Sequence, residues 1–238
     1  VPRLDYSGGA SCASLLLEGQ STNLIAYSED FSDSSWTLFG TIQANSSVSP
    51  NGLTTATKLT HTHSQYNMLR VLTGGVRTTS VFVKNVDADN FYIRGGSSGY
   101  AYYNFNTKTV NNNSLKVEYF ANDWIRLSLT DSITTRQFGI GVDESDLSES
   151  GNSVYVWGAQ LEEKSYATSY IPTSGSTVTR TADVCNNAGT SATFNDSEGV
   201  LFFEGAALAD DGTDRRITLS DGTSNNQVII GYSRFSTN

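Results

Sequence analysis

The stretches Phe91-Tyr92-Ile93-Arg94 and Ala101-Tyr102-Tyr103-Asn104-Phe105 decide the fold class of this chain. In both, apolar residues alternate with polar or tyrosine residues, which is the two-residue period of a β-strand. Phe91 and Ile93 fall on one side of the first strand, and Tyr103 falls on the corresponding side of the second. The pattern predicts two strands that each have one side toward a core and one side toward solvent.

The whole chain has the composition of a β protein. Only 16% of its 238 residues are charged, 11% are aromatic, and the 32 Ser, 27 Thr and 19 Asn residues make up about a third of it. So little charge is not typical of an amphipathic helical bundle, and a disordered chain would lack the aromatic residues.

Further strand-like runs recur along the chain, and Gly, Asn, Asp and Ser separate them. Many short strands at this spacing predict an all-β fold, a jelly-roll β-sandwich. The predicted strands cover residues 57–59, 66–72, 78–84, 91–94, 101–106, 115–119, 124–129, 138–142 and 154–161.

Composition shifts divide the chain into four parts. Residues 1–20 are predicted to be a lead-in, residues 21–172 the sandwich, and residues 173–193 a linker poor in large apolar residues. Residues 194–238 hold three more strand-like runs, which are too few to bury a core of their own. We therefore expect this part to be an incomplete second β-sandwich, or its strands at 200–204, 215–219 and 228–232 to pack on the first domain or on another subunit.

Charge and hydropathy exclude two classes of partner. The formal net charge is −9, and no cluster of Lys and Arg is present. Nucleic-acid binding depends on such clusters. No apolar run approaches the roughly 18 residues of a membrane span. We expect neither nucleic-acid binding nor membrane insertion.

A set of motifs lies near both ends of the predicted sandwich. The motifs are Pro2–Tyr6, Ser14–Glu18, Thr22–Leu24, Tyr27–Phe31, Val154–Glu162, Ser169–Thr173 and Thr179–Val184. They resemble motifs of the fibre, spike and tail proteins of bacteriophages. In that family the middle region is similar to jelly-roll carbohydrate-binding modules, and the segment after Phe194 resembles the start of a laminin-G or concanavalin-like domain. The family usually has Arg where this chain has Ser21, so no role of that arginine transfers.

The resemblance implies a function and a location. It implies a virion protein outside the cell, with host surface glycan and other virion subunits as partners, and a homo-oligomer, commonly a trimer, in the intact protein. A non-catalytic sugar-binding module is the first hypothesis. The alternatives are a structural or decoration domain of the virion that binds no sugar, and an accessory module of a polysaccharide-degrading enzyme.

A row of tyrosines carries the sugar-binding hypothesis. Sugar rings stack on aromatic side chains, and sugar hydroxyls bond amide and guanidinium groups. The alternation places such groups together on the solvent side of the predicted sheet, although an ordinary polar face or a subunit contact would have the same residues. The predicted contacts are Tyr66, Arg70, Tyr92, Arg94, Tyr100, Tyr102 and Asn104. The three tryptophans, Trp36, Trp124 and Trp157, are expected to be core residues instead.

No catalytic set stands out. His61 and His63 lack a nearby acid that would complete a zinc site, and the chain has no Gly-x-Ser-x-Gly motif. We predict that the chain is not an enzyme. Asp87 and Asp89 form an Asp-x-Asp pair in a loop, which could contribute oxygen ligands to a structural calcium ion or simply be solvated.

The two cysteines, Cys12 and Cys185, lie in the predicted lead-in and linker. The first and last segments of a sandwich can end close together, so a disulfide between the two cysteines is geometrically plausible. Such a bond would restrict the unfolded chain. Two unpaired thiols, as in a reducing cytoplasm, are the alternative.

Overall fold

The computed structural model describes residues 3–5, 14–62, 68–71, 75–95, 100–133, 137–142, 151–185, 198–207 and 214–232. The described residues are almost entirely strands and loops, and the only helical element among them is one short turn at Ala121–Asp123. The predicted all-β class is confirmed. None of the described residues forms a helix of the length and apolarity that crossing a membrane requires.

Two six-stranded antiparallel sheets form a β-sandwich. Sheet I has the strand order β11-β10-β9-β14-β7-β4, and its strands are β4 (Thr37–Leu38), β7 (Met68–Val71), β9 (Asn90–Gly95), β10 (Tyr100–Asn104), β11 (Thr109–Val110) and β14 (Gln137–Val142). Sheet II has the order β12-β13-β8-β15-β6-β5, and its strands are β5 (Thr41–Ser47), β6 (Ala56–Thr60), β8 (Gly75–Asn85), β12 (Leu115–Tyr119), β13 (Ile125–Ile133) and β15 (Ser153–Glu162).

The chain passes repeatedly from one sheet to the other, as in a jelly roll. Neighbours within a sheet, such as β8 and β15, are distant in sequence. The inward sides of both sheets enclose one apolar core, as expected for two sheets packed face to face. Val81, Leu127 and Val156 come from sheet II, and Phe91 and Ile140 from sheet I.

All three tryptophans are buried, which confirms that they are core residues. Trp36 packs against Phe31 with ring centroids 5.2 Å apart, and its indole N–H donates to the Tyr27 carbonyl oxygen at 3.0 Å. Trp124 and Trp157 belong to a second apolar cluster. Trp36 thus combines burial with a satisfied indole N–H, the usual state of a framework tryptophan.

A tight turn joins β12 to β13 and contains two consecutive residues in the left-handed region. Asn122 has φ 60° and Asp123 has φ 63°. Asn and Asp tolerate this region better than other residues with side chains, and two such residues in a row are typical of a two-residue hairpin turn.

The segments before β4 and after β15 pair with each other. β3 (Ser21–Asn23) and β16 (Val178–Arg180) are antiparallel, with Ser21 opposite Arg180. β3 also follows the second half of β15, because the Leu24 N–H donates to the Leu161 carbonyl oxygen at 2.9 Å. Much of the predicted linker at 173–193 therefore belongs to the sandwich.

The chain divides into two compact units, Val1–Val184 and Cys185–Asn238. The first unit also contains a short hairpin of β1 (Arg3–Asp5) and β2 (Ser14–Leu16). In the second unit, β17 (Arg215–Ser220) pairs with β18 (Gln227–Tyr232). Residues 200–204 were predicted to be a strand, but they lie in an irregular segment. That prediction was wrong because an apolar run forms a strand only where a partner strand accepts its hydrogen bonds.

Candidate functional site

The tyrosine face is the side of β9 and β10 that points away from the core. β9 and β10 are in register so that Tyr102 is opposite Tyr92, and Asn104 is opposite Asn90. Directly opposed residues of an antiparallel pair project from the same side. Phe91, Ile93 and Tyr103 lie on the other side of these strands, in the core, as the alternation predicts.

Among the described side chains of this face, Tyr102 is an accessible aromatic residue. Its side chain is 41% exposed, and its backbone N–H donates to Asn111 Oδ1 at 2.7 Å. The position is therefore fixed by the β10–β9 ladder and by this additional bond. An exposed aromatic ring on a fixed backbone can stack on an apolar ligand surface at little cost in conformational entropy.

Tyr92 shares the tyrosine face but is buried, with only 2% of its surface exposed. The reason is a glycine on the neighbouring strand, since Gly141 of β14 is directly opposite Tyr92. A Cβ atom at Gly141 would lie 2.3 Å from the Tyr92 hydroxyl. The tyrosine ring thus lies over β14 in the space that a side chain at 141 would fill. We expected Tyr92 to be a solvent-facing contact, and this position corrects that expectation.

Asn104 is held by a local hydrogen-bond network. Its Nδ2 donates to Asn90 Oδ1 at 2.9 Å. Its Oδ1 accepts from the backbone N–H and the hydroxyl of Thr107, at 2.8 and 2.9 Å. The Thr107 hydroxyl also lies 2.7 Å from that of Thr109. Neutral amide and hydroxyl groups therefore border Tyr102 on the side of the β10–β11 turn.

The remaining predicted sugar contacts differ in position. Arg94 is half-buried, and Tyr100 is opposite it in the ladder. Arg70 is opposite Phe138, a core residue. Leu69, and not Arg70, is opposite the Gly139 that pairs with Arg94. The side chains of Arg70 and Tyr100 lie outside what the structure describes, so their sugar contacts stay predictions. Tyr66 lies outside the described residues.

Asp87 and Asp89 are both exposed. Their carboxylates accept hydrogen bonds from different parts of the chain. Asp87 Oδ1 accepts from the Ser153 N–H at 2.6 Å and from the Ser153 hydroxyl at 2.9 Å. Asp89 Oδ1 accepts from Asn106 Nδ2 at 2.5 Å. In the part of the chain that the structure describes, no three His, Cys, Asp or Glu side chains come together at metal-binding distances. Calcium binding stays a prediction.

Cys185 is exposed and forms no disulfide with any described residue. Its predicted partner, Cys12, lies outside the described residues. The disulfide therefore also stays a prediction.

A buried tyrosine supports the tyrosine face from the core side. The hydroxyls of Tyr103 and Tyr119 are 3.4 Å apart. Burial, followed by this contact, raises the pKa of Tyr103 above its ordinary range. Tyr103 therefore stays protonated at physiological pH and forms an uncharged underside to β10.

The outer face of sheet II is closed by the chain itself. Residues 164–172 cross it, and the backbone N–H of Ile171 donates to Gln160 Oε1 at 2.7 Å. Tyr170 packs against Trp157 with centroids 4.6 Å apart, and burial raises the pKa of its hydroxyl above the ordinary range. Residues 164–172 therefore occupy part of the outer face of sheet II.

The motifs that carry the phage-protein resemblance have a structural role. Asn23 Nδ2 donates to the carbonyl oxygens of Ala159 and Ile171, at 3.2 and 2.9 Å. Glu162 accepts from the hydroxyls of Ser21 and Thr168 and from the Thr168 N–H. These residues tie the two ends of the sandwich together, and none of them is on the tyrosine face.

Sequence reasoning missed Gly141 and Asn90. Neither residue has a charged or aromatic side chain that would mark it in the sequence. Their roles come from residues on neighbouring strands, Tyr92 for Gly141 and Asn104 for Asn90. The one available signal was the alternation Gly139-Ile140-Gly141, which leaves one side of a predicted central strand without side chains.

No family model and no curated protein matches the sequence. Among solved structures, the chain is similar to the N-terminal CBM22-1–GH10 modules of Clostridium thermocellum endo-1,4-β-D-xylanase 10B, solved in complex with xylohexaose. The TM-score is 0.35 and the sequence identity is 16%. The match covers 65% of this chain and 30% of the xylanase chain.

Proposed function

We propose that the chain is a non-catalytic module that binds a neutral polysaccharide through the tyrosine face. The observation that carries the proposal is Tyr102, which presents an exposed ring on a well-paired central hairpin. Sugar rings have apolar C–H faces, so an exposed and immobilised aromatic ring suits them. Hydroxyl and amide groups next to the ring supply the hydrogen bonds that fix orientation.

The composition of the surroundings favours a neutral ligand over a charged one. Asn104 and Thr107 are neutral donors and acceptors beside Tyr102, while Arg94 and Asp89 contribute one charge of each sign. A ligand with many negative charges would gain little from this set, and the net charge of −9 would oppose it. Hydroxylated neutral chains match it better.

The coverage of sheet II also supports the proposal. Residues 164–172 cross the outer face of sheet II, whereas Tyr102 is exposed on sheet I. Single contacts of this kind are weak, and several copies on one particle would raise the avidity. The resemblance to phage fibre, spike and tail proteins supplies the setting: a virion protein that attaches to host surface glycan.

Affinity electrophoresis with the full chain tests the binding. The gels contain xylan, mannan, dextran or, as the acidic comparison, alginate. Retardation by at least one neutral polysaccharide is expected, and Tyr102→Ala should weaken it about 3- to 10-fold, the equivalent of an aromatic contact worth roughly 1 kcal/mol. The control is Phe120→Ala, because Phe120 is 44% exposed and its ring packs on Phe82 of sheet II.

Two results would contradict the proposal. One is an absence of retardation by every polysaccharide in the panel, which would favour the structural or decoration domain. The other is equal weakening by Tyr102→Ala and Phe120→Ala. Release of reducing sugar by the chain alone would overturn the non-catalytic part, and failure of an antibody against the chain to label purified phage particles would overturn the virion setting.

A further inference from the structure

The segments that flank the two sheets of the sandwich meet at one point, which we call the clasp (Glu18–Asn23 with Val178–Asp183). Glu18 and Asp183 bond each other twice. The Glu18 N–H donates to Asp183 Oδ2 at 2.8 Å, and the Asp183 N–H donates to the Glu18 carbonyl oxygen at 2.9 Å. The entering and leaving segments therefore run side by side.

A buried ion pair closes the clasp. Arg180 Nη1 lies 2.9 Å from Glu18 Oε2, and the Glu18 side chain is almost fully buried. Glu18 Oε1 accepts the Ser169 N–H at 2.8 Å. A carboxylate removed from water needs such partners, and the loss of the cation would leave its charge uncompensated.

The contacts of the clasp are mainly polar. Beyond the ion pair they include the Thr22 and Thr179 hydroxyls, 2.8 Å apart, and the bond from Ser21 to Glu162 at 2.6 Å. The apolar core between the two sheets begins only at Ile25 on the entering side. The clasp and the core are thus held by different interactions, and regions held differently open with different free energies.

We infer that the clasp is a latch that opens as a unit while the two sheets stay folded. Ser21 is opposite Arg180 at the end where both segments leave, and Asn23 is opposite Val178 at the inner end. Tension on the two segments therefore loads the outermost contacts first, those of Glu18 with Asp183 and Arg180, before the inner pairs. The clasp bears the load first and protects the sandwich and its tyrosine face when the neighbouring parts of the polypeptide are pulled.

Amide hydrogen exchange of the full chain, followed by mass spectrometry, tests this inference. The variant is Arg180→Met, and the matched control is Arg216→Met, which breaks the exposed Arg216–Asp214 pair. In Arg180→Met, peptides within residues 17–23 and 177–184 should exchange at least 10-fold faster. Peptides within residues 79–83 and 125–129, in the middle of sheet II, should keep their wild-type rates.

Two outcomes would overturn the inference. Equal acceleration in the clasp and in sheet II would show that they open together, and unchanged exchange in both would show that Arg180 does not hold the latch. If Arg180→Met does not fold, Thr22→Ala provides a milder test. It should accelerate exchange in the clasp peptides alone by about 2- to 5-fold, and acceleration in sheet II would count against the latch.

Discussion

The absence of one side chain shapes the tyrosine face. Gly141 leaves room for the Tyr92 ring over β14, so Tyr92 becomes a buried support and Tyr102 remains the accessible ring. Two tyrosines that are equivalent in the strand alternation therefore have different roles, because their cross-strand neighbours differ.

Gly141→Ala tests this arrangement. The new Cβ would lie 2.3 Å from the Tyr92 hydroxyl, so the ring must move, and we expect a loss of roughly 1–3 kcal/mol of unfolding free energy from overpacking. Urea unfolding measures it. In the background of Tyr92→Ala the same substitution should cost much less, since the obstructing ring is gone. Equal costs in both backgrounds would refute the role assigned to Gly141.

Asp221 offers a test in the turn between β17 and β18. Hydrogen bonds from Thr223 and then Asn226 lower its pKa from 3.8 to about 2. A lowered folded-state pKa means that the stabilising contribution of the carboxylate is complete above the unfolded value of 3.8. It is lost as the pH falls through about 2. An NMR titration should give this low pKa, and Thr223→Val should raise it; a pKa near 3.8 in the unsubstituted chain would contradict the turn geometry.

The connection between elements depends on buried polar groups as well as on apolar packing. β15 contributes Gln160 and Glu162 toward the segments that flank the sandwich. Both side chains are fully buried, and a buried polar group is tolerated only when it is hydrogen-bonded. These bonds fix where residues 164–172 cross the sheet.

Glu162→Gln tests this connection. The amide keeps the size of the side chain but replaces one acceptor by a donor that faces the Ser21 and Thr168 donors. We expect a loss of about 1–3 kcal/mol of unfolding free energy, since buried donors lose their partner. Thermal and urea unfolding measure it, with the exposed Glu198→Gln as the control. A cost no larger than that of the control would show that Glu162 is dispensable.

In the β12–β13 turn, a substitution is expected to stabilise the chain. Asp123 has φ 63°, and the left-handed region costs an ordinary residue roughly 1–2 kcal/mol. Asp123→Gly should therefore stabilise the chain slightly, by about 0.5 kcal/mol after the extra flexibility of glycine in the unfolded state is subtracted. Asn122→Ala should destabilise it. A higher melting temperature for Asn122→Ala would contradict the turn.

The described parts of the two units differ in how far their apolar side chains are buried. The first unit has two sheets around a shared core. In the second unit the described hairpin exposes Ile217, Leu219 and Val228, and a two-stranded hairpin alone is marginally stable. We expect amide exchange in β17 and β18 to be at least 100-fold faster than in β8. Comparable protection in all three strands would refute this expectation.

The sequence by itself determined the fold class and the assignment of inner and outer sides. The alternation in Phe91–Arg94 and Ala101–Phe105 predicts both strands and the placement of Phe91, Ile93 and Tyr103 in the core. Most central strands were likewise predicted to within a few residues. Periodicity is a local property, so it can be read without knowledge of the partner strands.

Only the tertiary structure decided which residues share a surface. The register sets Gly141 opposite Tyr92, and the space that the glycine leaves lets the Tyr92 ring lie buried over β14. It also pairs β3 with β16, more than 150 residues apart, within a segment that its polar composition indicated to be a linker. Cross-strand register depends on all the strands of a sheet at once, and no single stretch of sequence contains it.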